Sequence, residues 1–198
     1  MRNSHLLLAL GVLAGVATAQ PIQLEPQYYD TVFDWALQTN HTKQLSITEV
    51  VSPDIADRYD DPAWVGTVFA ITDRVWDLMA RMDGQGTFDR LLANAEANAT
   101  YSAGLKKLLA YNIHPDEALT YLDLLRLVEG GQGSLSTLLD NERIGLKLSG
   151  VSGGTGVSTI TLVPAGQEIG NVTVVFGPDV FAGNATVLAV DKVLLPAL

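Results

Sequence analysis

The hydrophobic pattern of this 198-residue chain changes its period near residue 130. Before that point apolar residues recur at spacings of three and four, which is typical of amphipathic helices. After it, short runs rich in Val, Ile, Leu and Thr alternate with Gly and Ser, which is typical of strands joined by turns. Because helices gather before strands, the order favours an α+β domain with helices packed over a sheet or sandwich. It disfavours the alternating βαβ order of nucleotide-binding folds.

The first half of the chain contains five segments with helical periodicity. They span residues 28–40, 73–82, 88–99, 101–113 and 115–128. Thr72 stands directly before the second segment and has a side-chain oxygen that can cap it. Pro115 is expected to begin the last, because proline is favoured in the first turn of a helix. The acidic segment 52–64 is expected to be a solvated loop rather than a Ca²⁺ site, since its spacing does not match the D-x-D-x-D-G loop.

Five further segments are predicted to be strands, one in the first half and four in the second. They span residues 66–71, 144–150, 157–163, 171–176 and 185–195. The last of them is apolar enough to suggest a membrane anchor as well as a core strand. Asp191 and Lys192 interrupt it, however, and no polar spacer precedes it, so we expect a core strand and no membrane anchor.

The first 19 residues have the features of a secretory signal peptide. A single arginine is followed by an apolar run from Leu6 to Val16 and by the small residues Ala17 and Ala19. Removal of Arg2 with this segment takes the net charge from −10 to −11. Such an acidic chain repels phosphate backbones, which disfavours nucleic acid as a partner.

Cysteine is absent, which excludes a disulfide framework, a thiol nucleophile and a cysteine zinc site. His41 and His114 are the only histidines after residue 19, and no G-x-S-x-G elbow accompanies them. The glycine-rich segments lack the lysine of a phosphate-binding loop. We therefore expect no catalytic residue, no metal and no cofactor.

Four Asn-x-Thr sequons follow the predicted signal peptide, at Asn40, Asn98, Asn171 and Asn184. Together with that signal they predict a glycosylated extracellular protein. Asn184 has a structural alternative, because with Gly183 it lies at a predicted tight turn, where Gly and Asn tolerate positive φ.

Three stretches, in the same order, resemble the signature blocks of the fasciclin (FAS1) domain. TVFAITDRVWDLM (67–79) is similar to the first block, LLAYNIHP (108–115) to the Tyr-His block, and PDVFAGNATVLAVDKVLLP (178–196) to the last. In the middle block Tyr111 aligns with the family's tyrosine, Asn112 stands at its histidine position, and His114 lies two residues later. The resemblance indicates one fasciclin-like domain over residues 20–198.

The resemblance implies a fasciclin-like fold, with the helices of the first half packed against a β-sandwich or wedge built largely from the second half. It also implies a secreted module of the matrix, cell wall or cell surface that binds matrix proteins, glycans or itself. Asp179 and Val180 match a short Asp-Ile element proposed as an integrin contact in some family members, although Asp179 also suits a turn. With Tyr111 and His114 they are the candidate binding residues. A soluble extracellular carrier of a small apolar ligand is the alternative function.

Overall fold

The computed structural model describes residues 24–39, 41–151, 158–166, 170–175 and 177–197. The predicted signal peptide and the sequon at Asn40 therefore lie outside the described residues. Within them the chain forms seven helices and nine strands. The helices are α1 (Val32–Gln38), α2 (Thr42–Val51), α3 (Pro53–Asp60), α4 (Asp73–Met82), α5 (Phe88–Ala97), α6 (Ala99–Tyr111) and α7 (Tyr121–Glu129). The strands are β1 (Gln27–Tyr29), β2 (Gly66–Ile71), β3 (Ile113–Pro115), β4 (Ser134–Ser136), β5 (Arg143–Val151), β6 (Ser158–Val163), β7 (Val172–Thr173), β8 (Val180–Ala182) and β9 (Ala185–Val190).

Threonine side chains cap the starts of α1, α4, α5 and α7. In each case the hydroxyl oxygen of Thr31, Thr72, Thr87 or Thr120 accepts a hydrogen bond from the backbone N–H three residues further on. These caps satisfy N–H groups that have no partner inside the helix. The predicted starts of the helices at residues 73 and 88 are confirmed.

The described strands form two sheets. The first has five strands in the order β1-β8-β9-β2-β3, and the second has four antiparallel strands in the order β4-β5-β6-β7. Six of these nine strands, β4 to β9, come from the second half of the chain, which confirms the predicted α+β fold class. The closing apolar stretch is confirmed as a core strand, β9, although it ends at Val190 rather than at residue 195.

Side chains of β2 point alternately into two hydrophobic clusters. Val68 and Ala70 pack with residues of the first six helices, whereas Phe69 packs with α7 and the four-stranded sheet. All three are fully buried. The five-stranded sheet is therefore covered by helices on one face and by the second sheet on the other.

The prediction of a solvated loop over residues 52–64 is wrong, because its first part forms α3. Ile55 and Tyr59, four residues apart on this helix, are both buried and hold it against the core. The Tyr59 hydroxyl also accepts a hydrogen bond from the side-chain amide of Gln44. The aspartates of this helix lie on its exposed face. In the sequence they outnumber the two buried apolar residues, and the helical pattern was therefore not recognised.

Two of the predicted helices begin later in the chain than expected. Tyr28 and Tyr29 belong to β1, which pairs in parallel with β8, and α1 begins only after Thr31. Pro115 ends β3 in the five-stranded sheet instead of starting a helix. α7 begins at Tyr121, behind the threonine cap described above. Local periodicity was overridden in both places by pairing in the sheet.

Asn112 ties the end of α6 to the closing segment of the chain. Its Nδ2 group donates to the carbonyl oxygens of Leu108 (2.8 Å) and Leu194 (3.0 Å), and its Oδ1 accepts from the N–H of Leu194 (3.3 Å). The residue is only 1% exposed. The asparagine at the family's histidine position is therefore a structural bridge between two distant parts of the sequence.

We expect Asn112→Ala to lower the free energy of unfolding by about 2–4 kcal/mol, because buried backbone groups would lose their partners at about 1–3 kcal/mol each. Urea unfolding followed by circular dichroism measures this loss. The matched control is Asn171→Ala, which removes the same amide from an exposed position and should change stability by less than about 0.5 kcal/mol. Equal effects of the two substitutions would contradict the bridging role.

Candidate functional site

Asp179 and Val180 lie at the start of β8, next to the edge strand β1. The backbone carbonyl of Asp179 accepts a hydrogen bond from the N–H of Gln27 (2.8 Å), and Val180 is the in-register neighbour of Gln27. Both side chains are half-buried. Among the described residues the Asp179 carboxylate has no hydrogen-bond or ion-pair partner. Its charge is therefore available to another molecule.

A stacked aromatic pair, one ring exposed and one half-buried, lies on the same two strands. Tyr28 is 72% exposed, and its ring stacks on that of Phe181 with centroids 5.4 Å apart and an interplanar angle of 17°. Because side chains alternate along an extended chain, Asp179 and Phe181 point to the same side of the sheet. We call Tyr28, Asp179 and Phe181 the edge patch. Aromatic rings of this kind are enriched at protein interfaces.

A small cavity of about 220 Å³ adjoins the edge patch and is lined by Asp179, Val180, Trp35 and His41 among others. The imidazole of His41 lies against the indole of Trp35, with centroids 4.2 Å apart. Its Nδ1 is 2.9 Å from the hydroxyl oxygen of Thr39, and that hydroxyl donates its own proton to the carbonyl of Trp35. Nδ1 must therefore carry the hydrogen and donate it to Thr39.

This arrangement leaves Nε2 of His41 as a buried acceptor. It has no hydrogen-bond partner among the residues that the structure describes. Burial lowers the pKa of His41 below its ordinary value, although the nearby carboxylate of Asp73 acts in the opposite direction. The imidazole is therefore held in its neutral form at neutral pH.

Tyr111 is fully buried, as the family alignment predicts for a core residue. Its hydroxyl donates to the carbonyl of Arg143 (3.0 Å) and accepts from the N–H of Ala165 (3.0 Å). Burial raises the pKa of this phenol above its ordinary value. Tyr111 therefore joins the end of α6 to the four-stranded sheet, and any effect of this residue on binding would be transmitted through the fold.

His114 lies on β3 and is only 6% exposed. Its Nδ1 is 2.8 Å from the carbonyl oxygen of Ser136 and 3.3 Å from the hydroxyl of the same residue, while its Nε2 is 3.6 Å from a carboxylate oxygen of Glu117. Serine, histidine and glutamate thus meet here, but the close carbonyl requires a proton on Nδ1. That nitrogen cannot accept the serine proton, so the arrangement does not activate Ser136 as a nucleophile.

The fold does not bring the four candidate binding residues together. Asp179 and Val180 are beside β1, which is one edge of the five-stranded sheet, whereas His114 is on β3, the opposite edge. Tyr111 lies in the interior and has no exposed surface. Binding by these residues stays a prediction, and Asp179 is the one whose charge is accessible.

Three of the four sequon asparagines are described, and all three are exposed: Asn98, Asn171 and Asn184. Asn98 caps α6 through its Oδ1, which accepts from two backbone N–H groups, so its Nδ2 stays free for a sugar. In the β8–β9 turn the positive φ belongs to Gly183 (+60°), where a Cβ would lie 2.6 Å from the carbonyl oxygen of Pro62. Asn184 itself does not need that conformation. Glycosylation stays a prediction.

An apolar cleft of about 490 Å³ lies between α4 and the segment that follows β9. Its apolar lining consists of Val75, Leu78, Met79, Met82, Val193 and Leu195. Three exposed charged residues, Asp83, Asp191 and Lys192, complete it. The helical periodicity of residues 73–82 did not reveal the cleft, because its second wall depends on where the chain runs after β9.

The described part of the chain contains no group of three or more His, Asp or Glu side chains placed to hold a metal ion. No helix in it is long and apolar enough to cross a membrane.

Comparison with known proteins gives a structural relative only. No protein-family model matches the sequence, and no curated protein matches it. Among solved structures, the fold is similar to that of a FAS1 domain pair from the insect cell adhesion molecule fasciclin I, with a TM-score of 0.62 and 17% identity. The match covers 84% of this chain and 51% of the other, so the chain spans about half the length of that domain pair.

The comparison establishes the fold of this chain, which is FAS1-like. It confirms the fold expected from the three sequence blocks. The structural neighbour belongs to a cell adhesion molecule.

We expect Tyr111→Ala to cost about 3 kcal/mol or more of stability, as other large core truncations do. Tyr111→Phe should cost about 1–2 kcal/mol, because it removes both hydrogen bonds of the hydroxyl, with Arg143 and Ala165, at about 0.5–1.5 kcal/mol each. Urea unfolding measures both. Tyr28→Ala, at an exposed position, is the control and should lose less than either; an unchanged midpoint for Tyr111→Ala would contradict the core assignment.

Stability should also depend on pH through His41. The folded pKa lies below the unfolded value of about 6.5, so the unfolded chain binds a proton first as the pH falls. The stabilisation that the neutral His41 gives the folded state is therefore complete above pH ~6.5. It is lost as the pH decreases towards the pKa of His41 in the folded chain. Unfolding free energies of the wild type and His41→Gln, measured from pH 7.5 to 5, should converge on acidification. A constant difference would contradict burial of a neutral imidazole.

Proposed function

We propose that this chain is a secreted adhesion module that binds matrix proteins, matrix glycans or a second copy of itself through the edge patch. The FAS1-like fold supports the proposal, because the neighbour with this fold comes from a cell adhesion molecule. The predicted signal peptide and the exposed sequons at Asn98, Asn171 and Asn184 support an extracellular, sugar-bearing product. Localisation in the matrix, cell wall or cell surface follows from the same proposal.

The observation that carries the proposal is the chemistry of the edge patch. Asp179 presents a carboxylate without a partner among the described residues, two positions before Phe181, whose ring stacks on that of the largely exposed Tyr28. A charge next to aromatic surface gives a partner both a directional contact and apolar area to bury. A basic group on the partner would complement Asp179.

An adhesion module that joins two cells or two matrix components needs either two binding surfaces or self-association. The net negative charge of the mature chain opposes close approach of two copies in low salt. A divalent cation would reduce this repulsion. The oligomeric state with and without Ca²⁺ therefore separates homophilic adhesion from binding to other matrix components.

We expect the secreted, glycosylated protein either to form concentration-dependent dimers in sedimentation equilibrium or to bind to surfaces coated with matrix proteins or glycans. Asp179→Asn combined with Tyr28→Ala should weaken that association by roughly tenfold or more, as loss of an interface centre does. The melting temperature should stay unchanged.

The matched control is Asp140→Asn, which removes the same charge from another exposed position. It should leave the association unchanged. Equal weakening by Asp140→Asn and Asp179→Asn would indicate a general charge effect and contradict the edge patch. A monomer that binds neither matrix proteins nor glycans would contradict the adhesion function itself.

A second candidate function is favoured by a different observation. The apolar cleft beside α4 has the volume and lining of a small-molecule site. We therefore keep, as the alternative, a soluble extracellular carrier of a small apolar ligand.

A further inference from the structure

We propose that the cleft beside α4 binds one elongated apolar molecule that carries a carboxylate head, and that Lys192 pairs with this head. The inference rests on the second candidate function, the carrier, and names its class of ligand. It is independent of the edge patch, which shares no residue with the cleft.

The floor of the cleft is a continuous apolar stripe on α4. Val75, Leu78, Met79 and Met82 stand at positions i, i+3, i+4 and i+7, so they line one side of the helix. Stripes of this kind are normally covered by another element. Here Leu78 is 54% exposed and Met82 is 67% exposed. A contiguous apolar surface left open in this way is typical of a binding site.

The opposite wall is the segment after β9, where Val193 and Leu195 face the stripe. Val193 is also part of the main core, so this wall is anchored rather than loose. The volume of the open cleft, about 490 Å³, falls within the range of roughly 300–1,000 Å³ of small-molecule sites. The two methionines give the floor flexible, polarizable side chains that adapt to a ligand's shape.

The charged groups of the cleft differ in how far they are already satisfied. The Asp83 carboxylate accepts a hydrogen bond from the hydroxyl of Tyr101 (2.5 Å), and the Asp191 carboxylate accepts one from the N–H of Thr173 (2.7 Å). Lys192 donates only to a backbone carbonyl, that of Asn171 (3.2 Å). Within the described residues no carboxylate lies at ion-pair distance from its ammonium group.

The ammonium group of Lys192 therefore keeps unused N–H donors and has no anionic partner among the described residues. The carboxylates of Asp83 and Asp191 each already accept a hydrogen bond. Charge complementarity assigns the anionic end of an amphiphile to Lys192. The apolar tail then covers the stripe that includes Leu78 and Met82. A neutral ligand of the same shape would cover the stripe equally well but would leave the ammonium group unpaired.

Isothermal titration of the secreted protein tests the proposal, with dodecanoate and dodecylamine below their micelle concentrations and dodecanol below its solubility limit. We expect dodecanoate to bind with a stoichiometry of one and about tenfold more tightly than dodecanol. Lys192→Gln should abolish this preference and leave dodecanol binding unchanged. Leu78→Gln with Met82→Gln should weaken both ligands at least tenfold.

Two matched controls use the same substitutions elsewhere on the surface. Leu122→Gln changes an exposed leucine of α7, and Lys147→Gln changes an exposed lysine of β5. Neither should affect binding of any ligand. Circular dichroism and the melting temperature establish that each variant is folded. If the variant at Leu78 and Met82 loses stability, Lys192→Gln, which changes an exposed side chain, still tests the site.

The outcomes separate this inference from the functions on which it rests. Equal affinity for dodecanoate and dodecanol, or a preference for dodecylamine, would overturn the assignment to Lys192 while the carrier function stands. No binding of any of the three would overturn both the cleft site and the carrier. Neither result bears on adhesion, because matrix binding and dimerisation should be unaffected by the cleft variants.

Discussion

The parallel pairing of β2 with β9 is the constraint on which the rest of the structure depends. It joins residues near the first third of the chain to its last strand, in register from Thr67↔Thr186 to Ile71↔Val190. Both strands are buried, and a parallel pair buried on both faces must be covered on both. The helices of the first half cover one face and the four-stranded sheet covers the other.

Polar groups inside that pairing also set the local structure around it. The Thr67 hydroxyl donates to the carbonyl of Glu117 and accepts from the N–H of Leu119 (2.8 Å each). The Thr186 hydroxyl donates to the carbonyl of Leu119 (2.9 Å). Two threonines buried in adjacent strands thus hold the connection between β3 and α7 against the sheet. This explains why α7 begins at Tyr121 and not at Pro115, where local sequence preference would have begun it.

Sequence reasoning succeeded where a local signal and the tertiary structure agree. The strand Gly66–Ile71 and the cap at Thr72 were predicted because β-branched residues, burial and capping all indicate the same break between elements. It failed for α3, whose two buried side chains are outnumbered by exposed aspartates, and for β1, whose three residues are extended only because β8 lies beside them. Asp179 was a candidate binding residue because of the family resemblance. The aromatic neighbours of Asp179 were not predicted, because Tyr28 and Phe181 are far apart in sequence.

The same dependence on tertiary structure gives this domain two distinct surfaces. The edge patch exists because β1 and β8 pair, and the apolar cleft exists because the chain turns back across α4 after β9. β9 connects them, since it pairs with β8 on one side and leads into the cleft wall at its end. Asn112 fixes that wall by holding Leu194, between the two apolar residues that face α4. The geometry of the cleft is therefore set by the core, whereas the edge patch depends on two three-residue strands at the margin of the sheet. A ligand in the cleft would meet a preformed site. A partner at the edge patch would meet the edge strand β1, along which it could add backbone contacts.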